Sequence, residues 1–138
     1  MDIKVWQGDI PAEIKLDDKK SLAVDSEFSG LNINRDKLYL VQISTGNNDA
    51  HIIQLNRENY DAPNLKKLLS NKAIEKIFHY ARSDLAFIKK YLNVTVENVN
   101  CTRTMSRFAR SYSDQHGLKA LIKEFLGIEI SKQQQSSD

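Results

Sequence analysis

Two acids stand two residues apart inside an apolar run, in AVDSEFSGL at 23–31. Asp25 and Glu27 follow Leu22, Ala23 and Val24, and Phe28 comes next. Side chains on a strand alternate faces, so both acids point the same way, with backbones roughly 6.6 Å apart. Like charges this close, partly out of water, raise each other's pKa unless something positive lies between them. A third acid, Asp84 in FHYARSDLAFI, falls at the edge of the helical apolar face formed by Ala81, Leu85 and Ile88. Each acid has a plain reading. Asp25 and Glu27 suit a solvated strand face, and Asp84 suits a helix first turn, where the dipole favours a carboxylate. Together they suit another role. Mg²⁺ and Mn²⁺ prefer carboxylate oxygens, and two such ions about 3.5–4 Å apart can activate a water and stabilise the leaving oxygen of a phosphodiester. With Asp25 bridging both ions, Glu27 on one and Asp84 on the other, the ions would supply the missing positive charge.

Positioning three acids requires a sheet and a helix. Strands are expected over 22–28, 37–44 and 50–55, the first two joined as a hairpin through SGLNINRD, with Tyr39, Val41 and Ile43 on one face. Pro63 suits the first turn of a helix with Leu65, Leu68 and Leu69 as its apolar stripe. A short strand over 76–79 precedes a helix over 82–92, where Ala81, Leu85, Ile88 and Leu92 share a face. Further helices are expected over 102–112 and 117–126, the second ended by Gly127. This order predicts an α/β domain with helices packed on a mixed sheet.

The 138 residues predict one domain spanning 1–138. Apolar content of 41% and charged content of 28% are ordinary for a globular chain. The net charge of +2 is too small to imply nucleic acid, so any such argument must rest on where the charges lie. One cysteine, Cys101, excludes an internal disulfide framework. No run approaches a membrane span and MDIKVWQGDI has no apolar signal region, so a cytoplasmic protein without membrane partners is expected.

VDSEFSGL resembles the first motif of the DEDD superfamily of 3′–5′ exonucleases, Asp-x-Glu followed by Gly-Leu. HYARSDLAFI resembles the second motif, and HGLKALIKEFLGIEISKQQQSSD the segment that follows in ribonuclease D and in the exonuclease domains of Werner-type helicases. The likeness to the short, single-domain ribonuclease D-like proteins of bacteria runs along essentially the whole chain, from WQGDIP to QQQSSD. It implies a ribonuclease H-like fold with a mixed sheet of about five strands and flanking helices. It also implies two divalent cations, Mg²⁺ or Mn²⁺, and hydrolysis of single-stranded RNA or DNA from the 3′ end to nucleoside monophosphates. By position, Asp25, Glu27 and Asp84 match the catalytic metal ligands. Phe28, Gly30 and Leu31 match the strip beside the terminal base, and Lys132 and Gln133 a substrate-side element. His79 matches the polar residue leading the second motif, or is a satisfied structural histidine. The family's third motif, with a Tyr and a fourth Asp, is expected beyond QQQSSD, and this chain ends at Asp138 ahead of it. The chain as given is therefore expected to fold but to be a poor nuclease. The alternatives are a nucleic-acid-binding module on the same fold and a protein-interaction domain whose acids are merely solvated.

The basic residues bear on nucleic acid independently. In TRTMSRFARSY, Met105, Phe108, Ala109 and Tyr112 form one helix face, with Tyr112 expected in the core, and Arg103, Arg107 and Arg110 lie almost opposite. Lys119 and Lys123 follow on the next helix. Such a stripe can track a phosphate backbone or be an ordinary solvated face. Tyr112 and His116 are the candidates for stacking on bases.

Overall fold

In the computed structural model residues 1–130 are described; Lys132, Gln133 and the rest of the QQQSSD segment lie outside them. The chain runs β1 (Asp2–Gln7), β2 (Ser21–Phe28), β3 (Leu38–Ser44), β4 (Asp49–Gln54), α1 (Pro63–Ser70), β5 (Glu75–Phe78), α2 (Ala81–Leu92), β6 (Val99–Cys101), α3 (Thr102–Ala109) and α4 (Leu118–Leu126). The strands form one mixed sheet in the order β1-β4-β3-β2-β5-β6. β2, β3 and β4 pair antiparallel; β1–β4, β2–β5 and β5–β6 pair parallel. The sheet has six strands rather than about five. β1 escapes periodicity because it is an edge strand with little burial, and β6 has only three residues.

On β2 the alternation is clean from Leu22 to Ser26: Leu22, Val24 and Ser26 are buried, while Ala23 and Asp25 are exposed and Glu27 is half-buried. The inward row joins Leu38, Val41, Ile43 and Ile53 in the core against Leu65, Leu69, Phe87, Ile88 and Leu92 of α1 and α2. The expectation for β3 fails at one end. Val41 and Ile43 are buried, but Tyr39 is 40% exposed and Leu38 takes the core position. The register slips between Glu27, opposite Leu40, and Phe28, opposite Leu38, so Tyr39 is the extra residue of a β-bulge. On α2 the buried set is Ala81, Asp84, Phe87, Ile88 and Leu92, with Leu85 only half-buried.

α3 ends at Ala109, short of the expected 112, because Arg110 leaves helical geometry (φ −120°, ψ 50°) and turns inward. Gly127 ends α4 in the left-handed conformation at φ 68°, as expected. Tyr112, Met105 and Phe108 are exposed at 74%, 55% and 85%, so the expected apolar face of this helix is not core.

α1 has no capping side chain at its own N-cap, Ala62. Asp9, from the loop after β1, caps it from a distance, its carboxylate accepting from the amides of Asn64 (2.8 Å) and Leu65 (2.9 Å). At the other end the buried Lys76 ammonium donates to the carbonyls of Asn71 (2.5 Å) and Ile74 (2.6 Å). Both charges match the helix dipole. Asp9→Ala should therefore lower stability by about 1–2 kcal/mol and Asp9→Asn by less than half of that, read by urea denaturation.

Candidate active site

β2 carries Asp25 and Glu27 on the sheet face away from α1 and α2, as the alternation requires. Cross-strand from them stand Gln42 and Leu40 of β3. Ser26, between the two acids, points to the opposite face and is buried. Its hydroxyl donates to the Asp84 carboxylate from the first turn of α2. The Ser26 amide donates to Asp25 at 2.9 Å.

Asp84 is only 6% exposed. Burial pushes its carboxyl from the ordinary 3.8 to about 6; the Ser26 hydrogen bond opposes that shift and the Asp25 charge adds to it. Asp84 thus feels Asp25 across the strand. Among the described residues, no three His, Cys, Asp or Glu side chains gather closely enough to hold a metal ion. The donors themselves are hard carboxylate oxygens, the chemistry Mg²⁺ and Mn²⁺ take. A buried carboxylate whose charged form is opposed by burial and by another carboxylate is also one that a cation would relieve.

Beside Asp25 opens a hollow of about 260 Å³ lined by Ala23, Gln42, Ile77, His79, Thr102 and Leu118, among others. Tyr80 makes the turn between β5 and α2 in the left-handed region (φ 60°, ψ 61°), uncommon for an aromatic residue. His79, just before it, has Nδ1 2.8 Å from the Thr102 hydroxyl. Thr102 gives its proton to the Phe78 carbonyl at 3.2 Å, so His79 donates through Nδ1–H and keeps an acceptor at Nε2. Burial first, then the Arg103 charge, lowers the His79 pKa, which favours the neutral ring.

The strip after Glu27 has structural duties of its own. Phe28 stacks on Phe87, centroids 4.3 Å apart and planes within 7°. A Cβ on Gly30 would collide with the Asp36 carboxylate, which accepts from the Asn32 amide at 2.8 Å. Leu31 is 78% exposed.

The basic stripe is rearranged. Arg103 lies over the Tyr80 ring, 4.4 Å from its centroid, near His79. Arg107 and Lys119 are exposed. Arg110 leaves the stripe: it is buried and paired with Glu124 at 2.5 Å, and it also donates to the Ser106 hydroxyl and the Gln115 carbonyl. A guanidinium placed opposite an apolar face on a helical wheel turns inward once the helix stops before it. His116 bonds Ser106 through Nδ1 at 2.8 Å. Sequence reasoning passed over Ser26 and Thr102. Ser26 had a readable signal, since a hydroxyl at an inward position of a strand needs a buried acceptor.

Comparison with known proteins gives this geometry its context. Residues 11–138 match the 3′–5′ exonuclease family. Brucella melitensis NrnC, solved with bound Mg²⁺, superposes with TM-score 0.87 at 40% identity, over 96% of this chain and 65% of that one; the same protein has also been solved bound to pGG. A second structure, the apo form of a nuclease, gives TM-score 0.92 at 43% identity over all of this chain and 67% of that one. Ribonuclease D of Acidiphilium cryptum is 28% identical over 117 residues, 85% of this chain and 29% of its own length. The chain thus spans under a third of that ribonuclease D and just under two thirds of NrnC. The mixed sheet and its helices form a ribonuclease H-like fold. With the match extending over nearly its whole length, the chain belongs to the 3′–5′ exonuclease family.

Proposed function

We propose that this chain is the catalytic domain of a metal-dependent 3′–5′ exonuclease that acts on single-stranded nucleic acid, RNA first among its substrates, and releases nucleoside monophosphates. The observation that carries this reading is the buried Asp84, tied through Ser26 to the strand that bears Asp25 and Glu27. Family membership and the Mg²⁺ and pGG bound to the related NrnC support it.

Asp25, Glu27 and Asp84 are the residues to hold two divalent cations, Mg²⁺ or Mn²⁺. When bound, the ions supply an activated water and charge stabilisation at the leaving oxygen. The remaining work falls to the chain. Asp25 and Glu27 present their carboxylates from a strand paired on both sides, a rigid mount for the donors. Ser26 orients Asp84. His79, held by Thr102, offers Nε2 as an acceptor in the hollow beside Asp25, where the 3′-terminal nucleotide sits. Of the strip Phe28, Gly30 and Leu31, the exposed Leu31 is the residue that reaches a base, while Phe28 stays stacked on Phe87 and Gly30 makes room for Asp36. Arg103, Arg107 and Lys119 follow the phosphates, and Lys132 and Gln133 complete the substrate side. Such a protein works in the cytoplasm; among the described residues no helix is long and apolar enough to cross a membrane. A second reading, a nucleic-acid-binding module that does not cut, is favoured by one observation: no three-ligand metal group is assembled among the described residues.

The deciding assay incubates a protein containing this chain with 5′-labelled single-stranded RNA and Mg²⁺. A ladder shortening one nucleotide at a time from the 3′ end is expected. Binding without shortening would select the second reading. Asp25→Asn, Glu27→Gln and Asp84→Asn should each slow shortening by on the order of a hundredfold or more.

Stability should move the other way at Asp84. Its folded pKa, about 6, lies above the ordinary 3.8, so folding favours the protonated acid. Stability is highest below the lower value, falls as pH rises between the two, and stays reduced above the higher. Asp84→Asn keeps the acceptor for Ser26 and removes the charge. In chelator at pH 8 it should stabilise the chain by about 1–3 kcal/mol, and near pH 4 by little.

Charge reversal at Arg103 or Arg107 should weaken oligonucleotide binding and make it less sensitive to salt. The slope of log K against log salt should become shallower by about 0.7 for each phosphate that is no longer neutralised. Arg110→Ala should instead lower the melting temperature, because it breaks a buried network. An unchanged salt slope in both reversal variants would remove these arginines from the phosphate path.

A further inference from the structure

Two chain junctions meet at the hollow beside Asp25, which His79 and Thr102 both line. One is the β5–α2 junction, His79, Tyr80 and Ala81, which leads into the helix that carries Asp84. The other is the β6–α3 junction, Cys101, Thr102 and Arg103. Parallel pairing of β6 with β5 sets Cys101 beside Phe78, the residue just before His79. Three successive residues of one junction then hold three successive residues of the other. The Thr102 hydroxyl lies 2.8 Å from His79 Nδ1. The Arg103 guanidinium covers the Tyr80 ring, 4.4 Å from its centroid. The Cys101 sulfur accepts hydrogen bonds from the Ala81 and Tyr80 amides, as well as from the Thr104 amide and hydroxyl.

Each contact answers a local need. The left-handed conformation of Tyr80 is unfavourable for an aromatic residue and persists where the surroundings over-determine it. α2 has no capping side chain at its own N-cap, so the amides at its start need an acceptor from elsewhere. Cys101 supplies one from β6, as Asp9 does for α1 from the loop after β1. Burial alone would raise the Cys101 thiol; the hydrogen bonds from Thr104, Ala81 and Tyr80 outweigh it and bring the thiol down to about 7, as a sulfur ringed by donors requires. A guanidinium stacked on a ring keeps its N–H edge free, so Arg103 can pin Tyr80 and still meet a phosphate. Ala81 and Asp84, three apart on α2, share its buried face, so what fixes the start of the helix also fixes Asp84.

We propose that Cys101 and Tyr80 are positioning residues of the nuclease site: with Thr102 and Arg103 they clamp the β5–α2 junction, so that His79 and Asp84 stand in fixed relation to Asp25. Neither needs to touch substrate in this role. The inference rests on the proposed nuclease reading and adds to it a reason for keeping a strained turn at this place. A freer residue at position 80 would relax the turn, but it would give Arg103 no ring to cover and leave His79 free to rotate. Misplacing a catalytic group by about 1 Å costs on the order of a hundredfold in rate, so the clamp matters more to the reaction than to the fold.

The test compares four variants of a protein containing this chain. Cys101→Val fills the place of the thiol without an acceptor, and Cys101→Ser keeps one. Tyr80→Gly adopts the turn without strain but has no ring, and Tyr80→Phe keeps the ring. The readouts are nitrogen NMR of the His79 ring in chelator, kcat and KM for shortening single-stranded RNA with Mg²⁺, and the melting temperature. The unaltered protein, Cys101→Ser and Tyr80→Phe should show one His79 tautomer, protonated at Nδ1. Cys101→Val and Tyr80→Gly should show both tautomers and lose about tenfold or more in kcat at unchanged KM. Tyr80→Gly should melt close to the unaltered protein, because relief of the left-handed turn offsets the lost ring contact. A merely structural role would leave the tautomer alone, and kcat would fall only in step with melting temperature; that result overturns the inference, as do equal losses in Cys101→Ser and Cys101→Val. If the unaltered protein shortens no RNA, the nuclease reading fails and the proposal with it. If it shortens RNA and Cys101→Val and Tyr80→Gly do so as fast, the clamp alone is refuted.

Discussion

The interaction on which the candidate site depends is the hydrogen bond from the Ser26 hydroxyl to the Asp84 carboxylate. It joins β2 to the first turn of α2 through two residues 58 apart in sequence. Ser26 faces inward because its neighbours Asp25 and Glu27 face outward, so one stretch of three residues presents two acids on one side and fastens a third from the other. Burial first, and then the Asp25 charge, disfavour the charged form of Asp84 by more than its hydrogen bonds from Ser26 and the backbone favour it, which is why its carboxyl is pushed to about 6. A residue chosen for stability alone would be an amide or an apolar side chain. Unfavourable electrostatics held in place by good packing from Phe87, Ile88 and Leu92 are what a site prepared for a cation requires.

The rest of the fold keeps that hydrogen bond in register. β2 lies inside the sheet, antiparallel to β3 and parallel to β5, so it cannot slip by one residue without sending Leu22 and Val24 to solvent and the acids to the core. α2 is fixed by its own buried stripe and by the Phe28–Phe87 stack, which joins the end of β2 to the same helix that carries Asp84. α1 is tied at both ends by charges from outside the helix, Asp9 and Lys76. The outer face of the sheet is spared this packing at Asp25, and there the hollow beside His79 opens.

What could be read from the sequence follows from what local physics controls. The shared face of Asp25 and Glu27 needs only the period of two, and the stop at Gly127 needs only the left-handed preference of glycine. The leucine stripe of α1 is equally local. The misreadings arise where tertiary context decides. The bulge at Tyr39 inserts one residue and reverses every parity argument beyond it. β1 owes its existence to pairing with β4, not to its own burial. Arg110 has the helical-wheel position of a phosphate ligand, and Glu124 on another helix draws it inside. The distance-capping Asp9 has no signature at all within 55 residues of the helix it caps.

The central claim is that burial and Asp25 oppose the charge on Asp84, and that a cation held with Asp25 and Glu27 would relieve it. The most direct measurement is a titration of the Asp84 side-chain carboxyl by carbon NMR, in chelator and then in saturating Mg²⁺. The account predicts a midpoint near 6 in chelator, and a fall to or below the ordinary aspartate value when Mg²⁺ is present. A midpoint already at the ordinary value in chelator, unmoved by Mg²⁺, would contradict it.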